Sequence, residues 1–568
     1  MSRTKPRPIR KRVIGKGGSL PGELDPVIAR IYASRGITNS SELDYGLSRL
    51  LPVRSLDGID RAVEVLLGHQ SGRIVIIGDF DADGATSTAL VMRCLTRLGF
   101  ADVSYLVPNR FDFGYGLTPE IVAVAAERDP DLLLTVDNGV SSIAGVAEAN
   151  RRGIDVLVTD HHLPGESLPE AASILNPNLR GNDFGSPNLA GVGVAFYLMA
   201  ALARRLQEDG LANAAKVPAE FLDLVALGTV ADVVSLDHNN RILVSQGLRR
   251  IRAGNSVAGI QALLRQAKRD PQRIVSTDLG FAVGPRLNAA GRLEDMSIGI
   301  ECLLTDDLAV AAEFARQLDR INRERRTIEA DMREQAFAYV DKMDDRSLPP
   351  CVCVYDKSWH QGIVGLVASR VKDRCHRPVI AFANDKDGML KGSARSVAGV
   401  HIRDLLEAVS TTEPGLIPNF GGHAMAAGLG LATVDLDRFR KSISSMLLKM
   451  YPDADFSGAI ITDGSLSADA MTLRFAKLLR EAGPWGAGFP EPLFCDEFSV
   501  VEQRTVGENH LKLSVQPVAG GAAVEAIAFN QAGPVYRGRV QLTYRLDVNE
   551  YRGFESPQLI VDQVVQMS

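Results

Sequence analysis

The sequence predicts an α/β protein with two lobes and a C-terminal β-barrel, and three features of the chain support this fold class. In the first half, short apolar runs that end in polar residues alternate with helical stretches, which is typical of a doubly wound parallel sheet. A long, highly charged helical stretch follows, and a second strand and helix pattern comes after it. Beyond residue 453, five short alternating runs separated by glycine-rich turns predict an OB-like barrel.

A chain of 568 residues, of which 45% are hydrophobic, is long and apolar enough for several separate cores. We therefore expect five parts: a lead-in with a basic tail over 1–45, a doubly wound domain over 46–305, connecting helices over 306–345, a second α/β lobe over 346–452 and the OB-like barrel over 453–568. Strands should alternate with helices as far as about residue 260. The connecting stretch fits one or two long helices that bridge the lobes, and it also fits a solvated helical hairpin.

The composition argues against several classes of protein. The six cysteines show no C-x-x-C spacing, so we expect reduced core thiols rather than disulfides or structural zinc. The longest uncharged stretch, residues 186–203, is too short for a spanning helix, so no membrane contact is expected. The first residues are basic rather than apolar, which predicts a cytoplasmic protein.

The charge pattern leaves a nucleic-acid partner open. A net charge of −6 argues by itself against such a partner, but a local basic groove is enough to contact phosphates. The basic tail over 3–12 fits a nucleic-acid contact and a merely solubilising role equally well.

Acidic and imidazole groups follow three of the apolar runs, at 73–77, 132–136 and 154–158. The groups are Asp79, Asp81 and Asp83 after the first run, Asp137 after the second, and Asp160, His161 and His162 after the third. Because the carboxyl ends of parallel strands meet at one edge of a sheet, we expect these side chains to converge. Carboxylates that converge repel one another unless cations neutralise them. The sequence therefore predicts a site for divalent metal ions, with a histidine supplying nitrogen.

Two simpler interpretations of the first cluster are weaker. Asp79 to Gly84 resembles the start of a calcium loop, but such a loop needs a glutamate at its twelfth position, which here is Leu90, and it follows a helix rather than a buried strand. Aspartates also cap helices and form turns after strands, yet three clusters in register disfavour that explanation for all of them.

At this point the motifs carry a resemblance to a known family. Asp-Phe-Asp-Ala-Asp-Gly, the isolated Asp137, the triplet Asp160-His161-His162 and Asp232 in Gly-Thr-Val-Ala-Asp-Val-Val resemble the four motifs of the DHH phosphoesterase superfamily. Downstream, the segments 421–428 and 393–396 resemble its companion DHHA1 domain. The order of the motifs, their spacing and the total length are similar to the bacterial branch that degrades single-stranded DNA from the 5′ end.

The resemblance implies a centre for two ions, Mn²⁺ or Mg²⁺. It assigns Asp79 and Asp81 to one ion, Asp83, His161 and Asp232 to the other, and Asp137 to both. The isolated position of Asp137 suits a carboxylate that bridges two metals. A relative has a histidine four residues before the position of Asp81, where this chain has Ile77, so the ligand set of the first ion stays open.

Further residues are expected around the metals. Asp160 would orient the imidazoles, and His162 would face the phosphate as a donor or general acid; a hydrogen-bonded core imidazole is the alternative for His162. The candidates for binding substrate phosphate lie in glycine- or proline-flanked loops: Arg110, Arg286, Arg292, Ser393, Arg395, Gly422 and His423. Each arginine alone also fits a surface ion pair, and Gly421 to His423 also fits a tight turn. The resemblance favours Arg110 and Arg395 as ligands of a terminal phosphate.

The resemblance implies a metal-dependent 5′→3′ exonuclease that hydrolyses single-stranded DNA to 5′-mononucleotides in repair and recombination. It also implies that single-strand-binding protein and a RecQ-type helicase are partners. Two alternatives are a DHH–DHHA1 phosphodiesterase that acts on short oligonucleotides or cyclic dinucleotides, and a non-enzymatic scaffold that binds nucleic acid. The intact acidic motifs favour an enzyme.

Overall fold

We analysed a computed structural model that describes residues 6–14, 20, 22, 24–108, 116–343 and 348–567. The first regular elements among these residues are strand β1 (Ile9–Lys11) and helix α1 (Pro26–Ala33). Asp25 caps α1 by accepting a hydrogen bond from the backbone of Val27, which fixes the start of this helix.

The first lobe is built on a five-stranded parallel sheet, as predicted. Its strands are β2 (Arg73–Ile77), β3 (Asp102–Leu106), β4 (Leu132–Val136), β5 (Asp155–Thr159) and β6 (Ser173–Leu175), in the spatial order β3-β2-β4-β5-β6. Apolar side chains alternate between the two faces of the sheet: Ile74 and Ile76 of β2 face one core, and Val75 and Ile77 face the other. The sheet is therefore covered by helices on both sides, which is the doubly wound arrangement.

Helices make up the rest of this lobe. They are α2 (Ile59–Gly68), α3 (Ala82–Arg97), α4 (Pro119–Ala126), α5 (Ile143–Arg151), α6 (Gly191–Glu208), α7 (Leu222–Ala231), α8 (His238–Arg252), α9 (Ala258–Gln266), α10 (Ser276–Asp278), α11 (Gly284–Leu293) and α12 (Ser297–Leu304). The expectation of strands as far as residue 260 is wrong, because among the described residues the chain is helical from α6 to α12. The apolar run before Asp232 is helix α7, as its sequence predicts, and it is buried on nearly all sides.

One helix, α13 (Leu308–Asp341), joins the two lobes. Its 34 residues span about 50 Å at the helical rise. Two buried acidic side chains attach it to both sides: Asp319 pairs with Arg286 of the first lobe at 2.7 Å, and Glu329 pairs with Arg370 of the second at 2.8 Å. The bridging interpretation is confirmed, and the solvated hairpin is wrong.

The second lobe carries a mixed five-stranded sheet in the order β10-β11-β9-β8-β7. Its elements are β7 (Val352–Tyr355), α14 (Val364–Cys375), β8 (Val379–Asn384), β9 (Met389–Arg395), α15 (Ile402–Thr412), β10 (Asn419–Gly422), β11 (Ala426–Ala432) and α16 (Leu436–Met450). Only β7 and β8 pair in parallel, and the other strands pair antiparallel.

The C-terminal part is a closed five-stranded barrel, as predicted. After β12 (Ile460–Thr462) and α17 (Leu473–Glu481) come β13 (Phe494–Val506), β14 (His510–Pro517), β15 (Val524–Ala528), β16 (Arg539–Tyr551) and β17 (Phe554–Gln566). They close in the order β13-β14-β15-β17-β16. The five predicted runs all fall on these strands.

The barrel is tied to the lead-in and to the first lobe by a shared core. Strand β1 pairs in parallel with β12, and Tyr32 of α1 packs against the rings of Trp485 and Phe489. The hydrophobic core of the barrel continues through α17 into the core of the first lobe. None of the helices in the described part of the chain is long and apolar enough to cross a bilayer.

A buried ion pair holds this junction. The guanidinium of Arg35 and the carboxylate of Asp463 are both almost inaccessible and lie 2.8 Å apart, and Arg35 also lies over the ring of Trp485. Asp463 accepts further hydrogen bonds from the backbone of Leu493 and the hydroxyl of Ser34.

We expect Asp463→Ala to destabilise the junction by about 3–5 kcal/mol, because it leaves the Arg35 charge buried without its partner. Thermal unfolding should show a fall of several degrees in the transition that reports on the barrel. The matched control is Asp455→Ala, which breaks the half-exposed pair between Asp455 and Arg10 and should leave the transition nearly unchanged, because solvent screens that pair. Equal transitions for the two variants would contradict the role of the buried pair.

Candidate metal centre and substrate site

The carboxyl ends of three parallel strands bring the predicted metal ligands together. Asp79 lies two residues beyond β2, Asp137 directly follows β4, and the pair His161 and His162 follows β5. Three groups of side chains have ligand atoms within 4.8 Å of one another: Asp79, Asp81 and Asp137; Asp83, His161 and Asp232; and Asp137, His161 and His162. Asp137 and His161 each belong to two of these groups, so they lie between the others.

The first acidic motif is held at the start of α3. Asp81 caps this helix, and its Oδ1 accepts hydrogen bonds from the backbone amides of Asp83 and Gly84 at 2.9 and 3.0 Å. The amide of Ala82 donates to Asn288 Oδ1 at 2.8 Å. These bonds hold the loop after β2, so that the three aspartates keep fixed directions.

Asp83 is oriented by a second helix start. Its carboxylate accepts hydrogen bonds from the amides of Gly191 and Val192, the first two residues of α6, at 2.6 and 3.0 Å. Gly191 has to be small, because a Cβ there would lie 2.6 Å from Asp137 Cβ. Gly228 of α7 has to be small for the same reason, since a Cβ would lie 2.8 Å from Asp83 Oδ1.

Asp137 occupies a strained backbone position. Its φ of 62° lies in the left-handed region, where residues other than glycine, asparagine and aspartate are rare. Several hydrogen bonds hold the backbone in this conformation. The Asp137 backbone amide donates to the Thr159 carbonyl of β5, and the Asn138 side-chain amide donates to the carbonyls of Ile77 and Val136. Asn138 thereby joins the ends of β2 and β4.

Asp160 holds both histidines. Its Oδ1 accepts hydrogen bonds from the backbone amides of His161 and His162 and from His162 Nδ1, the last at 2.7 Å. Its Oδ2 accepts from the amide of Val140. Although burial alone would raise the pKa of Asp160, the adjacent His162 lowers it below the usual range of an aspartate. Asp160 is therefore an ionised acceptor in the position that the sequence predicted for it.

The two histidines differ in protonation. Burial lowers the pKa of His161, which keeps its ring neutral, as a metal ligand requires. Burial opposes protonation of His162 as well, but the Asp160 carboxylate at 2.7 Å prevails and raises the pKa of His162 to about 9. At neutral pH His162 is thus an imidazolium.

Two asparagines that the sequence did not single out also hold the two histidines in place. Asn178 donates its side-chain amide to the carbonyl of His161 at 2.6 Å, and Asn176 donates to the carbonyl of His162 at 2.8 Å. The signal was the Asn-Pro-Asn triplet just beyond β6, a turn sequence at the same edge of the sheet. Asn288 was also missed, although the loop that contains it had been singled out for Arg286.

The converging carboxylates repel one another. Burial, together with the charges of Asp232 and Asp81, raises the pKa of Asp83 to about 7. Burial and Asp81 raise the pKa of Asp232 to about 8. The pKa of Asp137 lies well above the ordinary range, because it is buried and surrounded by four carboxylates, of which Asp83 has the largest effect.

This donor set fits divalent cations. His161 Nε2 lies 3.1 Å from Asp137 Oδ1 and 3.5 Å from Asp232 Oδ2, a spacing expected of atoms that converge on a common ion. Carboxylates with one imidazole suit Mn²⁺ and Mg²⁺. Ile77 is fully buried in the core of the first lobe, so position 77 contributes no ligand and the group around Asp79 is made of oxygen donors.

The second lobe places His423 over the two histidines. The centre of its ring lies 4.9 Å from that of His162 and 6.3 Å from that of His161. Burial, followed by the charge of His162, lowers the pKa of His423 to about 4, so its ring is neutral. Gly422, the residue before it, has a φ of 140°, and a Cβ there would collide with the Ala426 carbonyl, so the turn requires glycine.

Ser393 and Arg395 lie together on β9, facing the start of α14. Arg395 donates to Ser393 Oγ at 3.1 Å and to the Ala394 carbonyl at 2.8 Å. Gly365 in the first turn of α14 leaves room for them, because a Cβ there would lie 2.8 Å from both side chains. The Ser393 hydroxyl and the Arg395 guanidinium, beside a helix N-terminus, form a pocket that suits an anion.

Arg292 connects this pocket to the metal centre. It donates to the carbonyl of Gly362, two residues before α14, at 3.2 Å. The neighbouring Gly291 packs directly on the carbonyl of Phe80 in the first acidic motif. The path from the acidic motif through α11 to the pocket of the second lobe is therefore made of direct contacts.

Two of the predicted phosphate ligands have other outcomes. Arg286 forms an ion pair with Asp319 at 2.7 Å and also donates to the Ala282 carbonyl, so its guanidinium ties α11 to α13. Asp319 is also paired with Arg323, and a role for Arg286 at the substrate phosphate stays a prediction. Arg110 lies outside the described residues.

Comparisons with known proteins agree with this architecture. Residues 73–229 match the DHH family N-terminal domain, residues 349–449 the DHHA1 domain and residues 462–563 the RecJ OB domain. The relative named single-stranded-DNA-specific exonuclease RecJ from Salmonella typhimurium is 51% identical over 98% of this chain and 99% of its own length. The relative of the same name from Escherichia coli is 50% identical over 98% of each chain.

A solved structure with the same fold supports the assignment. The crystal structure of RecJ in complex with Mn²⁺ from Thermus thermophilus has a TM-score of 0.79 and 30% sequence identity to this chain, covering 98% of this chain and 80% of that one. The structure of RecJ in complex with Mg²⁺ from the same organism gives a TM-score of 0.74 at 28% identity, covering 98% of this chain and 79% of that one. Given the near full-length identity and the three matching domains in order, the chain belongs to the RecJ family of DHH phosphoesterases.

Proposed function

We propose that this protein is a metal-dependent exonuclease that hydrolyses single-stranded DNA in the 5′→3′ direction and releases 5′-mononucleotides, in DNA repair and recombination. The observation that carries the proposal is the set of converging ligand groups that share Asp137 and His161 at the sheet edge, with His423 of the second lobe over them. The relatives named single-stranded-DNA-specific exonuclease RecJ supply the substrate class.

Two Mn²⁺ or Mg²⁺ ions fit the donor set. Asp79, Asp81 and Asp137 would hold one ion, and Asp83, His161 and Asp232 the other, with Asp137 shared. When bound, such a pair of ions lowers the pKa of a coordinated water and neutralises charge that develops on the phosphodiester. The named relatives whose structures contain Mn²⁺ and Mg²⁺ support the choice of metal.

The protein's own residues would bind and protonate the substrate. His162 carries a proton at neutral pH, and the bond from its Nδ1 to Asp160 turns Nε2 away from that carboxylate. We assign His162 as the donor to a phosphate oxygen or to the leaving 3′ oxygen, and Asp160 as the group that orients it and stabilises its charge. His423 is neutral and its ring centre lies 4.9 Å from that of His162, where it would close the site from the second lobe.

End recognition gives the polarity. A metal centre by itself cuts any phosphodiester that reaches it, so a strand end has to be bound at a fixed distance from it. Ser393 and Arg395, beside the N-terminus of α14, form the pocket that suits a terminal 5′ phosphate, and Arg292 links that pocket to the acidic motif. We include Arg110 in this assignment from the motif resemblance alone.

The alternatives are less well supported. A non-enzymatic scaffold has no need of a complete ligand set, whereas here six ligands converge. A phosphodiesterase of short oligonucleotides would use the same ligands, but it does not explain a closed barrel whose core continues into the catalytic lobe. The barrel suits longer single strands.

We also propose the cytoplasm as the location, which fits six free cysteines, five of them buried. Single-strand-binding protein and a RecQ-type helicase are proposed partners on the family resemblance alone. Co-purification of each with the full chain would test them.

Replacing the shared ligand tests the metal centre. Asp137→Asn keeps the size of the side chain and tolerates the left-handed backbone but removes the charge, so turnover on a labelled single strand should fall on the order of 10³-fold or more. The fold should persist, because it rests on apolar strands. The control is Asp155→Asn at the opposite end of β5, which should retain activity. Near-normal hydrolysis by purified Asp137→Asn would rule out the shared-ligand assignment.

Metal binding should release protons. Because the pKa of Asp83 is about 7 and that of Asp232 about 8 in the metal-free protein, both carboxyl groups must lose protons before they can ligate near neutral pH. The affinity for Mn²⁺ should therefore rise between pH 6 and 8 and level off above pH 8. Titration calorimetry in two buffers of different ionisation enthalpy measures the protons released, and Asp232→Asn should lower that number. An affinity that is equal at pH 6 and pH 8.5 would contradict the repulsion between these carboxylates.

The end-recognition pocket predicts a preference for 5′-phosphorylated strands. Arg395→Ala should lower kcat/KM for a 5′-phosphate strand by roughly 10- to 100-fold, as expected for a lost charged hydrogen bond, and should change that of a 5′-hydroxyl strand much less. Both strands are labelled at the 3′ end. Arg438→Ala, which removes an exposed arginine paired with Glu413, is the control. Equal losses on both strands would refute the role of Arg395, and digestion that starts at the 3′ end would refute the polarity.

A further inference from the structure

Phe281 is an exposed aromatic residue in a turn that packs beside the segment carrying Asp232. It lies in a π-helical turn, Leu279–Val283, between α10 and α11, and 77% of its surface is exposed. Leu279, Ala282 and Val283 of the same turn are buried, so Phe281 is the large side chain of the turn that faces outward. π-helical turns are rare and occur often at functional sites.

The turn packs against the end of α7, where the ligand Asp232 follows. Cβ atoms built on Gly280 and Gly284 would lie 3.2 Å from Val230 Cγ1 and 3.1 Å from Ala231 Cβ, so these glycines bring the two backbones together. The residue after Asp232 is Val233, which has a φ of 63° and is 69% exposed. A β-branched residue in this conformation is strained, and such strain is typical of functional sites.

Helix α11 extends from this turn along the metal centre to the second lobe. Its Asn288 binds the Ala82 amide, Gly291 packs on the carbonyl of Phe80, and Arg292 binds the Gly362 carbonyl. The turn with Phe281 therefore lies at the end of α11 that is next to Asp232, and the pocket for a terminal phosphate lies at the other end of this helix.

The segment that leads into the barrel also lies at the Asp232 end of α11. The Leu236 amide donates to the Ala487 carbonyl at 2.7 Å, and the Ser276 hydroxyl donates to the Trp485 carbonyl at 2.6 Å. Residues 485–487 lead directly into the first strand of the barrel. The turn with Phe281 therefore lies between the metal centre and the segment that leads to the barrel.

We propose that Phe281 is a stacking platform for a nucleobase of the single strand, placed between the metal centre and the barrel. This inference rests on the proposed function and names a new contact for its substrate. An aromatic ring accepts the face of every base, so it supplies affinity without sequence preference. The stacked base would hold the strand in register while the terminal nucleotide occupies the metal centre, which makes Phe281 a positioning residue rather than a catalytic one.

The test pairs a substitution with base removal. Affinity is measured by fluorescence anisotropy in the full chain carrying Asp137→Asn, with Mg²⁺, on a 5′-phosphorylated strand and on a series in which one nucleotide at a time is abasic. We expect Phe281→Ala to weaken binding of the intact strand at least about fivefold. One abasic position should weaken binding to the protein with Phe281 by a similar factor and should have no effect once Phe281 is alanine. Phe281→Trp should restore binding, and its fluorescence should be quenched by the intact strand.

The controls separate stacking from other causes. Leu448→Ala removes an exposed apolar side chain from α16 of the second lobe and should leave affinity unchanged. Thermal stability should not fall in Phe281→Ala, because little of the ring is buried. Unchanged affinity in Phe281→Ala, or an abasic profile that is the same with and without Phe281, would overturn the proposal. A wild-type protein that does not hydrolyse single-stranded DNA would instead overturn the proposed function, and binding would still report on Phe281.

Discussion

The mutual repulsion of buried carboxylates at one edge of the parallel sheet is the constraint on which the rest of this structure depends. Asp79, Asp83 and Asp137 are almost inaccessible, and each belongs to a group of ligand atoms that lie within 4.8 Å of one another. Removal from water and close like charges both oppose ionisation, which is why the pKa values of Asp83 and Asp232 lie near 7 and 8. Such a cluster lowers the stability of the fold, and cations that occupy the site offset this cost.

Neutral hydrogen-bond donors hold the cluster in place. Backbone amides at the start of α6 bind Asp83, and the Asn138 side chain joins the ends of β2 and β4. Asn176 and Asn178 hold the carbonyls of the two histidines. Because amides bring no net charge, they fix the geometry without adding to the repulsion or competing with a metal ion.

A few buried ion pairs fix the positions of the lobes and the barrel relative to one another. Helix α13 uses Asp319 for the first lobe and Glu329 for the second, so one rigid element sets the position of His423 relative to His162. At the other side, Arg35 and Asp463 bind the lead-in to the segment that enters the barrel. The site is thus assembled from distant parts of the chain whose relative positions depend on these pairs.

The sequence by itself determined the strands, the barrel and the ligand types, because apolar periodicity and acidic strand ends are local properties. The runs at 73–77 and 132–136 are strands with those bounds, and the aspartates and histidines that follow converge as predicted. Tertiary structure alone decided the partner of each charged side chain. Arg286 has the local sequence of a phosphate ligand, yet the buried Asp319, 33 residues away, binds it. The need for Gly191 and Gly228 likewise arises from contacts with Asp137 and Asp83 that are remote in sequence. Local pattern specifies what a residue prefers, whereas charge neutralisation and close packing depend on which distant residue arrives beside it.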